Sequence, residues 1–232
     1  VKLVTIAGPP SSGKTAVTIK ALGSLRQEGT RVGVVKFDSL STQDQSLYEK
    51  QGIPVVTGIS GNLCPDHFFV SNASDCLDWG VRSGFDLLVI ESAGLCNRCA
   101  PHIQGVLAVC VIDNLSGVDT PKKIGPMLKM ADLVVITKGD IVSQAEREVF
   151  AYRVRQVNGQ ATILQVNGLT GQGGHELGRL LMNAPETEEL GGRLLRFSMP
   201  AALCSYCLGQ RRIGSDYQMG NVRKMRFQGE GA

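Results

Sequence analysis

The chain has 232 residues, of which 43% are hydrophobic and 19% charged, a globular balance that excludes a disordered polymer. That length suits one α/β domain of ordinary size, or one domain with a small appendage. No apolar run approaches the ~20 residues needed to cross a bilayer, and a net charge of +3, one Trp and four Tyr without aromatic–basic alternation argue against a nucleic-acid partner.

The first residues lack a basic stretch followed by a long apolar run, so the expected setting is the reducing cytoplasm. Residues 2–7 are the first predicted strand. They feed Gly8-Pro9-Pro10-Ser11-Ser12-Gly13-Lys14-Thr15, which fits G-x-x-x-x-G-K-[ST] and opens a predicted helix over 13–27. Strand, motif and helix in this order are the context a phosphate-binding loop requires. The glycines let backbone N–H groups turn toward the phosphates, and the helix N-terminus adds positive potential. Lys14 is placed to reach the β/γ-phosphates, and the Thr15 hydroxyl to bind Mg²⁺.

Predicted strands at 31–37 and 54–57 follow. Asp38, at the end of the second strand, is a further Mg²⁺ candidate. Beyond the third strand, Gly61-Asn62-Leu63-Cys64-Pro65-Asp66-His67 sets a thiol and an imidazole three residues apart on a predicted loop. Cys64 and His67 suit Zn²⁺, Ni²⁺ or Cu⁺. Two ligands do not complete a site, and a second subunit could supply two more at a two-fold axis. The same spacing fits a buried cysteine and a surface histidine.

A predicted helix over 75–83 leads to a strand over 86–90 that ends in Glu91-Ser92-Ala93-Gly94. A carboxylate there helps to hold Mg²⁺ or the attacking water, and the Gly94 amide is placed to sense the γ-phosphate. The next loop carries Cys96-Asn97-Arg98-Cys99, with His102 close by. A loop just after a phosphate-sensing glycine moves on hydrolysis, so metal bound there would be coupled to the nucleotide state.

A strand over 106–112, a helix over 121–130 and a strand over 132–137 bring the chain to Thr137-Lys138-Gly139-Asp140. This resembles the guanine-reading motif N/T-K-x-D. The Asp140 carboxylate can accept both hydrogens of the guanine N1 and exocyclic amine, and adenine lacks that donor pair. The Lys138 stem can lie flat against the base. After a helix over 143–158 and a strand over 162–166, Asn167-Gly168-Leu169-Thr170-Gly171 takes the place of the last guanine loop. A helix over 174–182 ends this unit. Continuous Val/Ile/Leu strands alternating with helices imply a mostly parallel sheet flanked on both faces.

Around Asn183 the pattern changes. The division expected is a P-loop domain over 1–182 and a basic, cysteine-bearing extension over 183–232. From Gly191 onward there are seven basic and two acidic residues. The extension carries Cys204-Ser205-Tyr206-Cys207. Paired with Cys96 and Cys99, these four thiols could form a Zn²⁺ site or hold a [4Fe–4S] cluster, and spacing does not separate the two. Cys76 and Cys110 sit in regular runs, as core residues do.

Together these motifs resemble the HypB/UreG family, the nickel-insertion GTPases of the SIMIBI class that mature hydrogenase and urease. The phosphate loop, the Glu91–Gly94 stretch and the block from Pro121 to Asp140 match in order, and Cys64-Pro65-Asp66-His67 is similar to the family's Cys-Pro-His or Cys-His metal loop. The resemblance covers roughly residues 1–182. It implies a slow GTPase with GTP/GDP and Mg²⁺ as ligands, working as a nucleotide-dependent homodimer. It further implies delivery of Ni²⁺ or a related metal to a client apo-metalloenzyme, together with other maturation factors. The extra lysine of a K-G-G-x-G-K loop is absent, as is a His-rich N-terminal stretch. The Cys96/Cys99 pair and the tail cysteines depart from the family pattern. The alternatives are an ATP-using, kinase-like enzyme and an iron–sulfur or zinc scaffold with a regulatory nucleotide switch.

Overall fold

The computed structural model describes residues 1–96, 100–198, 200, 202 and 204–227. Seven strands form one parallel sheet: β1 (Lys2–Ala7), β2 (Val32–Asp38), β3 (Val55–Ile59), β4 (Leu87–Glu91), β6 (Leu107–Asp113), β7 (Leu133–Thr137) and β8 (Thr162–Gln165). Their order across the sheet is β3-β2-β4-β1-β6-β7-β8. The central strands β1 and β4 lie side by side in register, Val4 opposite Val89. Both are buried along nearly their whole length, which is why they carry unbroken apolar runs instead of alternation.

Helices cover both faces. On one face α1 (Lys14–Gln27) and α7 (Gly174–Met182) pack Val17, Leu22, Leu25, Leu177 and Leu181 against Val4, Val89 and Val109. On the other, α3 (Pro65–Arg82) sets Phe69, Ala73 and Leu77 against Val35, Phe37 and Leu88. The helix α6 (Gln144–Val157) opens on a capping box: Ser143 accepts from the Glu146 N–H while Glu146 accepts from the Ser143 N–H. The predicted P-loop architecture, a mostly parallel sheet flanked on both faces, is present.

Four local expectations change. The helix predicted over 75–83 begins ten residues earlier, with Pro65 in its first turn, where a missing N–H leaves no bond unmade. Cys64 and His67 are therefore the N-cap and first turn of α3, not loop residues. The helix predicted over 121–130 is two short pieces, α4 (Thr120–Lys123) and α5 (Pro126–Lys129), parted at Gly125, whose φ of 52° and ψ of −124° no helix accommodates. A helix not foreseen, α2 (Asp44–Lys50), follows β2. A second, two-stranded sheet pairs β5 (Ala100–Ile103) with β9 (Leu195–Phe197) antiparallel.

That second sheet and the residues after it lay the C-terminal segment along α3. Leu190, Leu195, Ile213, Met225 and Phe227 are buried in the same core cluster as Phe37, Phe69 and Leu77. Asn72 of α3 donates to the Arg223 carbonyl (2.9 Å) and accepts from the Met225 N–H (2.8 Å). Arg196 grips Asp132 through both guanidinium nitrogens at 2.7 Å. Among the described residues no helix is long and apolar enough to cross a membrane.

Candidate functional site

The turn between β1 and α1 is held by close backbone approach. A side chain at Gly8 would place its Cβ 2.1 Å from the Val111 carbonyl oxygen, and one at Gly94 would lie 1.8 Å from the Gly8 carbonyl oxygen. Gly13 caps α1 in the left-handed conformation (φ 89°), and Ser11 takes φ 59° beside it. Lys14 folds inward, donating to the Gly8 and Pro9 carbonyls at 2.9 Å each. Burial lowers its pKa to about 8, and the nearby Glu91 charge only partly offsets this. Pro10, Ser11, Gly13, Lys14, Thr15, Asp38 and Glu91 line one cleft of about 440 Å³ with Lys36 and Asp44.

Thr15 and Glu91, separated by 76 residues in sequence, are directly bonded. The Thr15 hydroxyl donates to Glu91 Oε1 (2.7 Å) and lies 3.0 Å from Asp44 Oδ2. Lys36 Nζ is 2.6 Å from Glu91 Oε1 and 2.8 Å from Asp44 Oδ2, and the Tyr48 hydroxyl donates to Glu91 Oε2 at 2.5 Å. Glu91 and Tyr48 are fully enclosed. Burial opposes the Lys36 charge, yet the Glu91 and Asp44 carboxylates hold its pKa above the ordinary value. Burial also opposes the Asp44 charge, and the Lys36 hydrogen bond and charge outweigh it, so that pKa falls. Burial and then Glu91 push the Tyr48 phenol well up. Asp38 lines the same cleft, but its Oδ1 accepts from the Ser39 N–H (2.8 Å), outside this cluster. Lys36, Asp44 and Tyr48 were not among the sequence candidates. An ammonium in the middle of the apolar strand Val32–Asp38 was the one signal that pointed to them.

A second hollow, of about 220 Å³, is lined by Gly13, Thr137, Lys138, Asp140, Asn167 and Gly168, with Ile141 and Leu169 at its rim. The Thr137 hydroxyl donates to the Ser12 carbonyl (2.7 Å) and ties this pocket to the phosphate turn. Lys138, in the left-handed region at φ 57°, donates from Nζ to the Ser11 carbonyl (2.7 Å) and faces Asp113 at 3.5 Å. Asn167 accepts from the Leu169 and Thr170 N–H groups (2.8 and 3.0 Å), so it shapes its own loop. The exposed Asp140 carboxylate stands at the pocket wall.

The thiol candidates divide. Cys64, His67, Cys204 and Cys207 line one small cavity of about 30 Å³ with Asp66 and Tyr206. Among the described residues no three His, Cys, Asp or Glu side chains are already gathered as a metal-ligand group. Burial, and next the Asp66 charge, push the Cys64 thiol up to about 11, and Cys96 is near enough to add to the shift. Cys96 is half-buried and free. Cys99 lies outside the described residues. His102 is no ligand: it is wholly buried, with Nδ1 at 3.0 Å from the Thr5 hydroxyl and Nε2 at 3.2 Å from the Met127 carbonyl. Cys76 and Cys110 are buried core residues, and burial pushes the Cys110 thiol up to about 12.

Residues 2–165 match the family model described as the CobW/HypB/UreG nucleotide-binding domain. The chain belongs to the CobW/HypB/UreG family. An uncharacterized protein of Methanocaldococcus jannaschii is 46% identical over 233 residues, spanning 99% of this chain and all of that relative. Among solved structures, the hydrogenase maturation factor HypB of Archaeoglobus fulgidus superimposes with a TM-score of 0.62 at 22% identity, covering 78% of this chain and 88% of that one. HypB of Helicobacter pylori in complex with nickel gives a TM-score of 0.62 at 19% identity, covering 82% and 91%. These two share the fold of this CobW/HypB/UreG member, a P-loop nucleotide-binding domain.

Proposed function

We propose that this protein is a GTP-hydrolysing accessory factor that delivers nickel or a related metal to an apo-metalloenzyme in the cytoplasm, acting as a nucleotide-dependent homodimer. The observation that carries the reading is one of connectivity. Gly94 packs against the phosphate turn at Gly8, and two residues later the same segment bears the thiol of Cys96. A change at the γ-phosphate is therefore transmitted along a short loop to a thiol-bearing region. The HypB structure with nickel supports the choice of cargo.

In this reading the turn amides and Lys14 stabilise charge on the transferring phosphoryl group. The Thr15 hydroxyl and the Glu91 carboxylate, already bonded to each other, would hold Mg²⁺, with Asp38 reaching it directly or through water. Mg²⁺ supplies neutralisation of the phosphate oxygens. Lys36 balances the two carboxylates nearest that position. The phosphate loop, the Glu91–Gly94 stretch and Thr137–Asp140 contain neither arginine nor glutamine to complete the transition state, so intrinsic hydrolysis is slow until another segment, a partner or a second copy contributes one. The guanine base enters the hollow beside Asp140, which reads its N1 and amine hydrogens.

Calorimetry with Mg²⁺ and GTP or ATP, on the wild type and Asp140→Asn, tests the nucleotide side. The wild type is expected to prefer GTP, and the variant to lose about 100-fold in GTP affinity, or about 3 kcal/mol, with ATP little changed. Equal affinities for both nucleotides in both proteins would reject the guanine assignment. On the metal side, Cys64→Ala is expected to lower bound metal and leave nucleotide affinity intact.

A further inference from the structure

We infer that the C-terminal segment closes the metal site within one chain: Cys204 and Cys207 join Cys64 and His67 in a four-ligand site for a tetrahedral, thiophilic divalent cation. This rests on the proposed role of Cys64 and His67 and replaces the second subunit as the source of the remaining ligands.

Four observations carry it. His67 is 5% exposed, and neither of its ring nitrogens has a hydrogen-bond partner, although both are buried. An imidazole left unpaired in the interior forfeits its hydration without return, and a metal ion on one nitrogen restores the missing interaction. His67 and three cysteines, contributed by chain segments some 140 residues apart, face one cavity of about 30 Å³. That is about the space of one water molecule, large enough for an ion and far too small for a nucleotide. The 204–207 turn is built to present both sulfurs. The Cys204 N–H donates to the Pro200 carbonyl (3.2 Å) and the Cys207 carbonyl accepts from the Gln210 N–H (2.8 Å), which fixes the backbone on either side of the two sulfurs. Finally, the turn is anchored over the N-terminus of α3. The Tyr206 hydroxyl reaches the Asn62 carbonyl at 3.3 Å, Gly214 donates to Val70, and Arg223 lies 5.1 Å from the Phe68 ring.

Three cysteines and one histidine form a Cys₃His set, the composition of tetrahedral zinc sites. The ligands bind as thiolates, so each bound ion releases up to three thiol protons to solvent. Because the groups line the cavity without yet forming a compact cluster, binding draws the 204–207 turn toward α3. Release of the ion then reverses that movement, and the tail becomes the element that gates it.

The test is anaerobic titration of the full chain with Co²⁺ in the presence of a phosphine reductant. It is read by visible ligand-field bands, thiolate charge-transfer intensity and light scattering. The expected result is one Co²⁺ per monomer with tetrahedral bands. Cys204→Ser/Cys207→Ser should lose about two thirds of the charge-transfer intensity and at least 10-fold in affinity. Cys207→His, which restores a ligand, should keep tetrahedral binding with about one third less charge transfer. A double variant that binds Co²⁺ like the wild type, beside a Cys64→Ser protein that has lost the tetrahedral bands, would overturn this inference and leave the Cys64/His67 reading standing. Tetrahedral binding unaffected by Cys64→Ser or His67→Ala would overturn both. Half an ion per chain, bound only in a dimer, would also sink the single-chain site, as would Cys207→His binding no better than Cys207→Ser. The His variant guards against confusing lost ligation with lost folding.

Discussion

Lys36 sits in a strand whose other members, up to the terminal Asp38, are Val, Gly and Phe, and it is 3% exposed. A buried ammonium persists there only because Glu91 and Asp44 face it. The reverse also holds: Glu91 is fully buried and depends on Lys36, Thr15 and Tyr48. Removing one partner of such a pair costs more than the pair contributes, since the other charge stays behind. Lys36→Met is therefore expected to lower unfolding stability by about 3–5 kcal/mol, and Tyr48→Phe by about 1–3 kcal/mol through one lost donor to the same carboxylate. Urea melts without nucleotide check both. A loss below 1 kcal/mol for Lys36→Met would mean that the buried cluster does not depend on this ammonium. Most of the nucleotide site was legible because phosphate chemistry fixes residue types at fixed spacing, as at Gly8, Lys14 and Thr15. Lys36, Asp44 and Tyr48 were not, because they meet only through the pairing of β2 with β4 and the placement of α2, which no local spacing encodes.

At the scale of elements, the second sheet is held by a buried histidine. His102 of β5 bonds Thr5 of β1 and the Met127 carbonyl of α5, while Arg196 of β9 lies close enough to disfavour its charge. Burial first, and Arg196 next, lower its pKa from 6.5 to about 4, against a smaller opposing effect of the Met127 bond and Asp132. The folded state thus binds the proton less tightly than the unfolded one. The stability tied to neutral His102 is complete above pH 6.5 and is lost as the pH falls toward 4. The loss approaches about 3 kcal/mol. Denaturant midpoints between pH 7 and pH 4 should fall in the wild type and flatten in His102→Gln; equal slopes would assign the acid sensitivity elsewhere. The sequence placed His102 close to a thiol pair. Its actual partners come from β1 and α5, and the β5·β9 pairing that positions it joins residues more than ninety apart. Likewise α3 reads as helical only from its amphipathic C-terminal half. Its first turn is set by Pro65 and by what packs on it from the tail.

For the whole molecule, the expected division at 182/183 can be tested by its consequence. Leu190, Leu195, Ile213, Met225 and Phe227 are buried against α3 and β2. At roughly 1.5–3 kcal/mol for each buried apolar side chain, their removal rivals the 5–15 kcal/mol by which a domain is stable at all. A chain ending at Met182 is expected to lose its cooperative thermal transition and to bind hydrophobic dyes, whereas a separable P-loop unit would melt cooperatively near the wild-type temperature. The tail was hard to read because its apolar residues are single anchors between arginines and glycines, with neither a helical nor a strand period.

In the proposed reading, the same continuity lets nucleotide and metal act on each other. From Gly94 the chain runs through Cys96 into β5, β5 pairs with β9, and β9 leads to Cys204 and Cys207. If GTP changes the affinity for Zn²⁺ by some factor, Zn²⁺ must change the affinity for GTP by the same factor, because the two paths round the cycle close. Gly94→Ala separates the ends of this path. Its Cβ would meet the Gly8 carbonyl oxygen at 1.8 Å and Lys14 Nζ at 2.9 Å, so either the turn or the loop must shift. The expected outcome is a GTP affinity reduced by about 10-fold or more, with Zn²⁺ affinity in the absence of nucleotide unchanged and the coupling factor reduced to one. Paired calorimetric titrations, each ligand with and without the other, measure it. A variant that bound GTP weakly yet retained the full coupling factor would show that the two sites communicate by another route.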